Sequence, residues 1–120
     1  MALDVLFALT GDVRRNARAV RQLRALAGMG LHVRALTLGP GGEAPELPGV
    51  ELVPLPVLKG RGPTFFLGVH RAVRRLARRM PARVYHASDL YTLPALAGAA
   101  RFHRARLVFD ARELYPDTPA

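Results

Sequence analysis

Glycine and polar residues gather where three apolar segments of the chain end. Their side chains and backbone could bind a charged or hydroxyl-bearing ligand. They are Gly11, Asp12, Arg15 and Asn16 after the first segment, His86, Ser88, Asp89 and Tyr91 after the fourth, and Asp110, Arg112 and Glu113 after the fifth. Because the three groups lie far apart in sequence, shared chemistry requires a fold that brings them together.

The group after the first segment suits a phosphate. A glycine there lets backbone N–H groups approach the anion, and the N-terminus of a following helix adds positive potential. Arg14 or Arg15 could add a guanidinium group. Gly11 and Asp12 are also consistent with an ordinary turn and helix cap.

The other two groups offer acid–base and anion chemistry. A histidine at a strand end is more often structural than catalytic, but Asp89 lies three residues after His86. Together they are candidates for orienting a hydroxyl-bearing ligand. Arg112 could hold a phosphate or carboxylate. Arg112 and Glu113 are also consistent with a simple surface ion pair.

The spacing of apolar residues predicts eight elements in the order β-α-β-β-α-β-α-β, within one domain over residues 1–120. Near-continuous apolar runs are typical of strands buried on both faces of a parallel sheet. The predicted strands are 4–10, 31–38, 50–55, 83–86 and 106–110, and the predicted helices are 13–27, 63–80 and 92–102. Gly28 and Gly30 should end the first helix, and Thr92 should cap the third.

This order predicts an α/β fold with a doubly wound, Rossmann-like parallel sheet whose strands run 3-2-1-4-5. In such a sheet the winding reverses between strands one and four, and ligands bind in the crevice at the carboxyl ends there. The three groups of polar residues should therefore meet at that edge.

Composition excludes several classes of protein. Half of the residues are hydrophobic, too many for a disordered chain, and no segment approaches a membrane span. The chain has no cysteine and no basic start typical of a signal peptide, which favours a cytoplasmic protein. The net charge of +9 predicts an anionic partner such as a phosphorylated ligand, an anionic lipid or a nucleic acid.

The predicted helix over residues 63–80 has an arginine-rich side opposite its apolar stripe. A solvated face of an amphipathic helix explains this pattern most simply. Docking on anionic lipid headgroups at the inner face of a membrane is the second interpretation. Specific nucleic-acid binding is third, because no base-reading motif accompanies the charge.

Several motifs with known chemistry are missing. Gly28-Met29-Gly30 follows a helix and not a strand, so it does not match a dinucleotide fingerprint, and Gly60-Arg61-Gly62 lacks the lysine of a P-loop. The histidines lack metal-ligand spacing, and no serine lies in a Gly-x-Ser-x-Gly elbow. We therefore expect neither a metal nor a resident cofactor.

Two segments resemble a known family. Residues 86–95 (HASDLYTLPA) and 107–116 (LVFDARELYP) are similar to the N-terminal half of family 4 retaining glycosyltransferases of the GT-B fold. The opening pattern of Gly11-Asp12, then Arg18, then Gly30 and Val33, looks like the same family. Arg112 stands where many relatives carry histidine.

The resemblance implies a function that the residues alone do not reveal. The N-terminal domain of that family holds the acceptor, and a following domain holds the nucleotide-sugar, which is a substrate. The loop at Gly11-Asp12 would lie near the donor diphosphate, and the loops at 86–89 and 112–113 would face the acceptor and the reacting carbon. The donor-binding domain is not among these 120 residues, so we expect the chain to be inactive alone.

Two functions therefore remain open. The first is the acceptor-side domain of a glycosyltransferase that moves a sugar from a nucleotide-sugar to a lipid or saccharide acceptor. The second is a non-catalytic basic α/β module that recruits an anionic partner.

Overall fold

The fold is an α/β arrangement built on one parallel sheet. The computed structural model describes residues 3–11, 13, 16–38, 47–55 and 62–110. The strands are β1 (Leu3–Ala8), β2 (Val33–Leu38), β3 (Val50–Leu55), β4 (Ala82–Ala87) and β5 (Arg106–Phe109), and the helices are α1 (Ala17–Gly28), α2 (Pro63–Arg78) and α3 (Leu93–His103). The strand order is β3-β2-β1-β4-β5, which confirms the predicted doubly wound sheet.

Strand β1 is the centre of the sheet because it is almost wholly apolar. It pairs in parallel with β2 on one side and β4 on the other. Leu6, Phe7 and Ala8 are completely buried, as a strand covered on both faces requires. Phe7 lies opposite His86 in the register with β4, so the first polar candidate is next to the central strand.

Two hydrophobic clusters lie on opposite faces of the sheet. On one face, Phe7 of β1 and Ala35 of β2 pack with Leu23 of α1. On the other, Leu6 of β1 packs with residues of α2 and α3, among them Val73. The alternation of side chains along each strand therefore decides which helix a residue meets.

The predicted start of the first helix at Val13 is wrong. Asn16 caps α1, because its Oδ1 accepts a hydrogen bond from Ala19 N at 2.9 Å, and the helix begins at Ala17. The backbone N–H of Val13 instead donates to Thr37 Oγ1 of β2 at 3.0 Å. Helical spacing alone did not distinguish a residue of the preceding turn from the first turn of the helix.

Other boundaries move by one or two residues. The prediction that Gly28 and Gly30 end α1 is confirmed, since the helix stops at Gly28 and Gly30 has a φ of 82°. Thr92 does precede α3, but its side chain makes no capping bond to that helix. The predicted loops at 39–48 and 56–63 lie largely outside the described residues.

Helix α2 is tied to β4 by a buried hydroxyl. Tyr85 is fully buried, and its hydroxyl donates to Met80 O at 2.8 Å while accepting from Ala82 N at 3.2 Å. Burial raises the pKa of the Tyr85 phenol above its ordinary value of 10.0. The hydroxyl therefore satisfies the carbonyl of Met80 and the N–H of Ala82, which lie between the end of α2 and the start of β4.

Across the described ranges, no helix combines the length and the hydrophobicity that crossing a membrane demands.

Candidate functional site

Asp89 joins two of the predicted loops. One carboxylate oxygen accepts from Thr10 N at 2.7 Å, and the other accepts from Thr92 N at 2.9 Å. Thr92 Oγ1 in turn donates to the backbone carbonyl of Asp89 at 3.2 Å. The side chain, only 4% exposed, thus connects the end of β1 to the turn before α3. The Asp89 carboxylate therefore bonds to Thr10 and Thr92 and not to His86.

The loop after β1 is also held from β2. Thr37, buried at the end of β2, donates through Oγ1 to Gly11 O at 3.2 Å and accepts from Val13 N. Gly11 has a φ of 136°, a conformation that favours glycine. Among the described residues other than its chain neighbours, none has a heavy atom within 4 Å of the position that a Cβ at Gly11 would take, so this side of the backbone is open to them. Thr37 was not among the predicted site residues, because a threonine within a strand does not by itself indicate a functional role.

Helix α1 is joined to β5 by an ion pair at the same edge. Arg18 Nε and Nη2 donate to the two carboxylate oxygens of Asp110 at 2.6 and 3.0 Å. The Asp110 side chain is 11% exposed and that of Arg18 is 38% exposed. Such a bidentate pair fixes both geometry and charge. Arg18 was not among the predicted site residues, although it belongs to the opening pattern of the family resemblance.

His86 lies on the α1 side of β4, opposite Phe7 of β1. Its ring stacks on Phe7, with ring centroids 4.7 Å apart. Burial lowers the pKa of His86 below 6.5; the Asp110 carboxylate partly offsets this shift, and Arg18 adds to it. Nε2 is buried and has no hydrogen-bond partner among the described residues. Since a buried polar atom normally has a partner, this atom can still accept from or donate to a ligand.

Ser88 presents a second unpartnered atom. Its backbone N donates to Ala8 O at 3.0 Å, but its Oγ is buried without a partner. Ser88 lies beside a cavity of about 190 Å³ between α1 and the carboxyl ends of β1, β4 and β5. The cavity is lined by Leu9, Asn16, Arg18, Ala19, Gln22, Ser88 and Asp110. A hydroxyl, an amide and an ion pair thus surround one small space.

Tyr91 lies at the same edge but outside this cavity. Its ring is 46% exposed and stacks on Phe66 of α2, with centroids 3.9 Å apart and planes 6° apart. Leu90 and Leu67 beside these rings are also exposed. Tyr91 is therefore part of an apolar surface at the start of α2, which the sequence did not predict.

The remaining candidates are less defined. Asp12, Arg15, Arg112 and Glu113 lie outside the described residues, so their roles stay predictions. Asn16 is described, and its side-chain oxygen caps α1 while the residue lines the cavity. In the part of the chain that the structure describes, no three His, Asp or Glu residues form a group able to hold a metal ion.

The arrangement can bind a ligand rich in hydroxyl groups. Ser88 Oγ can donate and accept, a neutral His86 can accept a hydrogen bond or a proton, and the Arg18–Asp110 pair supplies both signs of charge.

One comparison with known proteins finds a relative family. A family model described as "Glycosyl transferase 4-like domain" matches residues 13–120, which is most of the chain. This match confirms the resemblance carried by residues 86–95 and 107–116. A search among curated proteins finds no match.

Proposed function

The chain belongs to the glycosyl transferase 4-like family, and from that premise we propose that it forms the acceptor-side wall of a cleft for transfer of a sugar from a nucleotide-sugar. The acceptor is a saccharide or a lipid carrying a hydroxyl group. The observation that carries the proposal is the pair of unpartnered polar atoms, Ser88 Oγ and His86 Nε2, on the α1 side of β4. Family membership makes glycosyl transfer the general activity, and these atoms support the assignment of the acceptor.

The acceptor needs a group that orients its hydroxyl. His86 suits this role because its lowered pKa keeps the imidazole neutral near pH 7, so Nε2 can accept a hydrogen bond. Ser88 Oγ, two residues later, can bind a neighbouring hydroxyl of the same sugar. Asp89 then has a positioning role, since its carboxylate holds the loop that carries Ser88.

The donor diphosphate needs positive potential without a resident metal. Gly11 has an open side, and in our proposal Asp12 and Arg15 flank the place where the diphosphate leaves. Guanidinium groups and backbone N–H groups stabilise developing negative charge effectively when they are fixed in advance. Arg112 and Glu113 complete this group in the proposal, and a second domain of the GT-B type supplies the opposite wall.

Ligand titration followed by ¹H–¹⁵N chemical shifts tests the acceptor site. We expect methyl glycosides or short saccharides to shift the amides of Ser88 and Arg18, and Ser88→Ala to weaken binding about fivefold. Thr64→Ala, a change of similar size at the exposed start of α2, is the matched control and should leave binding unchanged. Saccharides and nucleotide-sugars that leave every amide at this edge unshifted would refute the acceptor assignment.

Transfer itself gives a second test. The 120-residue chain should bind without turnover, because the proposal places the donor mainly on another domain. A protein that joins this chain to such a domain should transfer sugar and lose activity on His86→Gln. Robust transfer by the 120 residues alone would contradict the two-domain proposal. Absence of transfer from the joined protein would favour the non-catalytic binding module.

A specific observation also favours a peripheral position on an anionic membrane. Four exposed arginines line the outer side of α2, namely Arg71, Arg74, Arg75 and Arg78. The exposed Leu67 lies in the first half of the same helix, and the exposed Leu90 directly precedes Tyr91, whose ring stacks on Phe66 of that helix. Basic and apolar groups side by side are typical of helices that dock on headgroups. We propose that this surface brings the cleft to a lipid acceptor.

Vesicle co-sedimentation tests the membrane surface. We expect binding to vesicles with anionic lipid and none to neutral vesicles, with Arg74→Gln weakening it about fivefold. Arg24→Gln on α1 removes the same charge from an exposed position elsewhere and should have a smaller effect. Binding that is indifferent to anionic lipid would remove the membrane from the proposal and leave the acceptor site untouched.

A further inference from the structure

A second concave surface lies at the opposite end of the sheet from the cavity at Ser88. This groove has a volume of about 680 Å³ and lies beside the amino ends of β4 and β5. Three arginines line it, namely Arg83, Arg104 and Arg106. Neither the family match nor the proposed sugar transfer gives these cations a role.

Arg104 occupies a backbone conformation that normally belongs to glycine. It ends α3 with φ 55° and ψ 43°, in the left-handed region, and Ala105 N donates to Ala100 O at 2.8 Å to complete the cap. Among the described non-glycine residues it is the one with positive φ. An L-residue with a side chain is disfavoured there, and glycine is the usual choice. Because an arginine at this position lowers the stability of the fold, its presence indicates that the side chain has a function.

The floor of the groove is apolar. Val5, Leu31, Val84 and Ala105 line it together with the arginines. Val108 continues the same face of β5 two residues beyond Arg106, and it is 44% exposed. On the neighbouring part of this face, α1 packs on β1 and β2. The part of this face over β4 and β5 is also apolar, but no described helix packs on it.

Charge restricts what can cover this surface. Among the described residues that line the groove, Asp4 is the one acidic residue; its Oδ2 accepts from His32 N at 2.7 Å, and its Oδ1 lies 3.8 Å from Arg83 Nη1. The groove therefore has an excess of positive charge. A second copy of the chain would bring another +9, and repulsion opposes that pairing.

We propose that this groove docks an acidic amphipathic helix of a partner protein. Its apolar stripe would cover Val84 and Val108, and carboxylates beside the stripe would meet the guanidinium groups of Arg104 and Arg106. A sheet face is normally covered by a helix, as α1 covers its neighbour. A small phosphate would satisfy the cations but leave the apolar floor in water, so the groove fits a helix better.

Fluorescence anisotropy with a labelled synthetic peptide tests this docking. The peptide carries a leucine stripe flanked by glutamates, and a second peptide has the same composition in scrambled order. We expect the amphipathic peptide to bind about tenfold more tightly than the scrambled one. Arg106→Gln should weaken its binding about fivefold, whereas Arg74→Gln on α2, with the same change of charge, should not.

Arg104→Gly gives the sharpest variant because stability and binding should move in opposite directions. It removes the cation and relieves the left-handed backbone, so we expect a melting temperature higher by about 4 °C and peptide binding weaker by about fivefold. The higher melting temperature excludes unfolding as the cause of lost affinity. Equal binding of both peptides, or unchanged affinity in the Arg104 and Arg106 variants, would each overturn the proposal.

Discussion

Two buried hydroxyl groups three residues apart on the β4 segment have opposite surroundings. The hydroxyl of Tyr85 has partners in Met80 O and Ala82 N, and it joins α2 to the start of β4. The Oγ of Ser88 has no partner, although it is buried beside a cavity just after the end of β4. Because an unpaired buried polar atom costs free energy, the first hydroxyl stabilises the fold and the second is available to a ligand.

The same division separates other residues at the carboxyl edge. Asp89 has partners through both carboxylate oxygens, as Tyr85 has through its hydroxyl. His86 Nε2 resembles Ser88 Oγ in having none. Position at this edge therefore does not by itself identify a ligand-binding residue. Hydrogen-bond partners separate the groups that build the edge from those that we propose face the ligand.

The largest effect on stability should come from Asp89→Ala. It removes the acceptor for the N–H groups of Thr10 and Thr92, and we expect the free energy of unfolding to fall by about 3 kcal/mol. Urea denaturation followed by circular dichroism measures this loss. Glu51→Ala, which breaks an exposed pair with Arg34, should cost less than about 1 kcal/mol. Equal losses in the two variants would show that Asp89 does not build the edge.

Tyr85→Phe should have the next largest effect. It leaves Ala82 N–H and Met80 C=O without their present partner, so we expect a loss of about 1.5 kcal/mol in the same experiment. Tyr91→Phe removes a hydroxyl from a half-exposed ring and should change stability by less than about 0.5 kcal/mol. If Tyr85→Phe left the free energy of unfolding unchanged, the contrast between Tyr85 and Ser88 would fail.

His86 should make stability depend on pH. The pKa of His86 in the folded chain lies below 6.5, the ordinary value expected in the unfolded chain. At a pH between these two pKa values the unfolded chain binds more protons than the folded chain, so stability falls as the pH is lowered. One proton contributes at most about 1.4 kcal/mol per pH unit, and His86 should contribute less because it is partly exposed. Unfolding measured from pH 7.5 to 5.5 should be flatter in His86→Gln than in the wild type. A slope in His86→Gln equal to that of the wild type would contradict the lowered pKa.

Ser88→Ala should change stability least and binding most specifically. Since Oγ has no partner, we expect a change below about 0.5 kcal/mol in the free energy of unfolding. Saccharide binding should nevertheless weaken about fivefold by chemical-shift titration. A loss of stability above about 1 kcal/mol would show that Ser88 belongs with Tyr85 and Asp89, and the comparison would fail.

Much of the fold could be predicted because it depends on local patterns. The apolar run of β1 and the helical spacing in α2 are examples of the patterns that predicted the element order, and that order predicted the strand order 3-2-1-4-5. The details that failed were the ends of elements. Val13 has the correct spacing for α1, yet it bonds to Thr37 on another strand, a contact that periodicity does not contain.

The candidate site was predicted in place but not in detail. Gly11, His86, Ser88 and Asp89 do lie at the carboxyl edge of the sheet, because parallel strands end on the same side. The partners of these side chains were not predicted: Asp89 meets Thr10 and Thr92, while His86 stacks on Phe7. Asp12, Arg15, Arg112 and Glu113 remain predictions.

By itself, the sequence determined which segments are strands and helices, how the strands are ordered, and at which edge polar residues collect. Periodicity and chain connectivity carry that information locally. Only the tertiary structure decided that Arg18 meets Asp110 across 92 positions and that Ser88 is left without a partner. Whether a polar group is satisfied depends on distances between segments far apart in the chain, and those distances exist only when the sheet and its helices have packed.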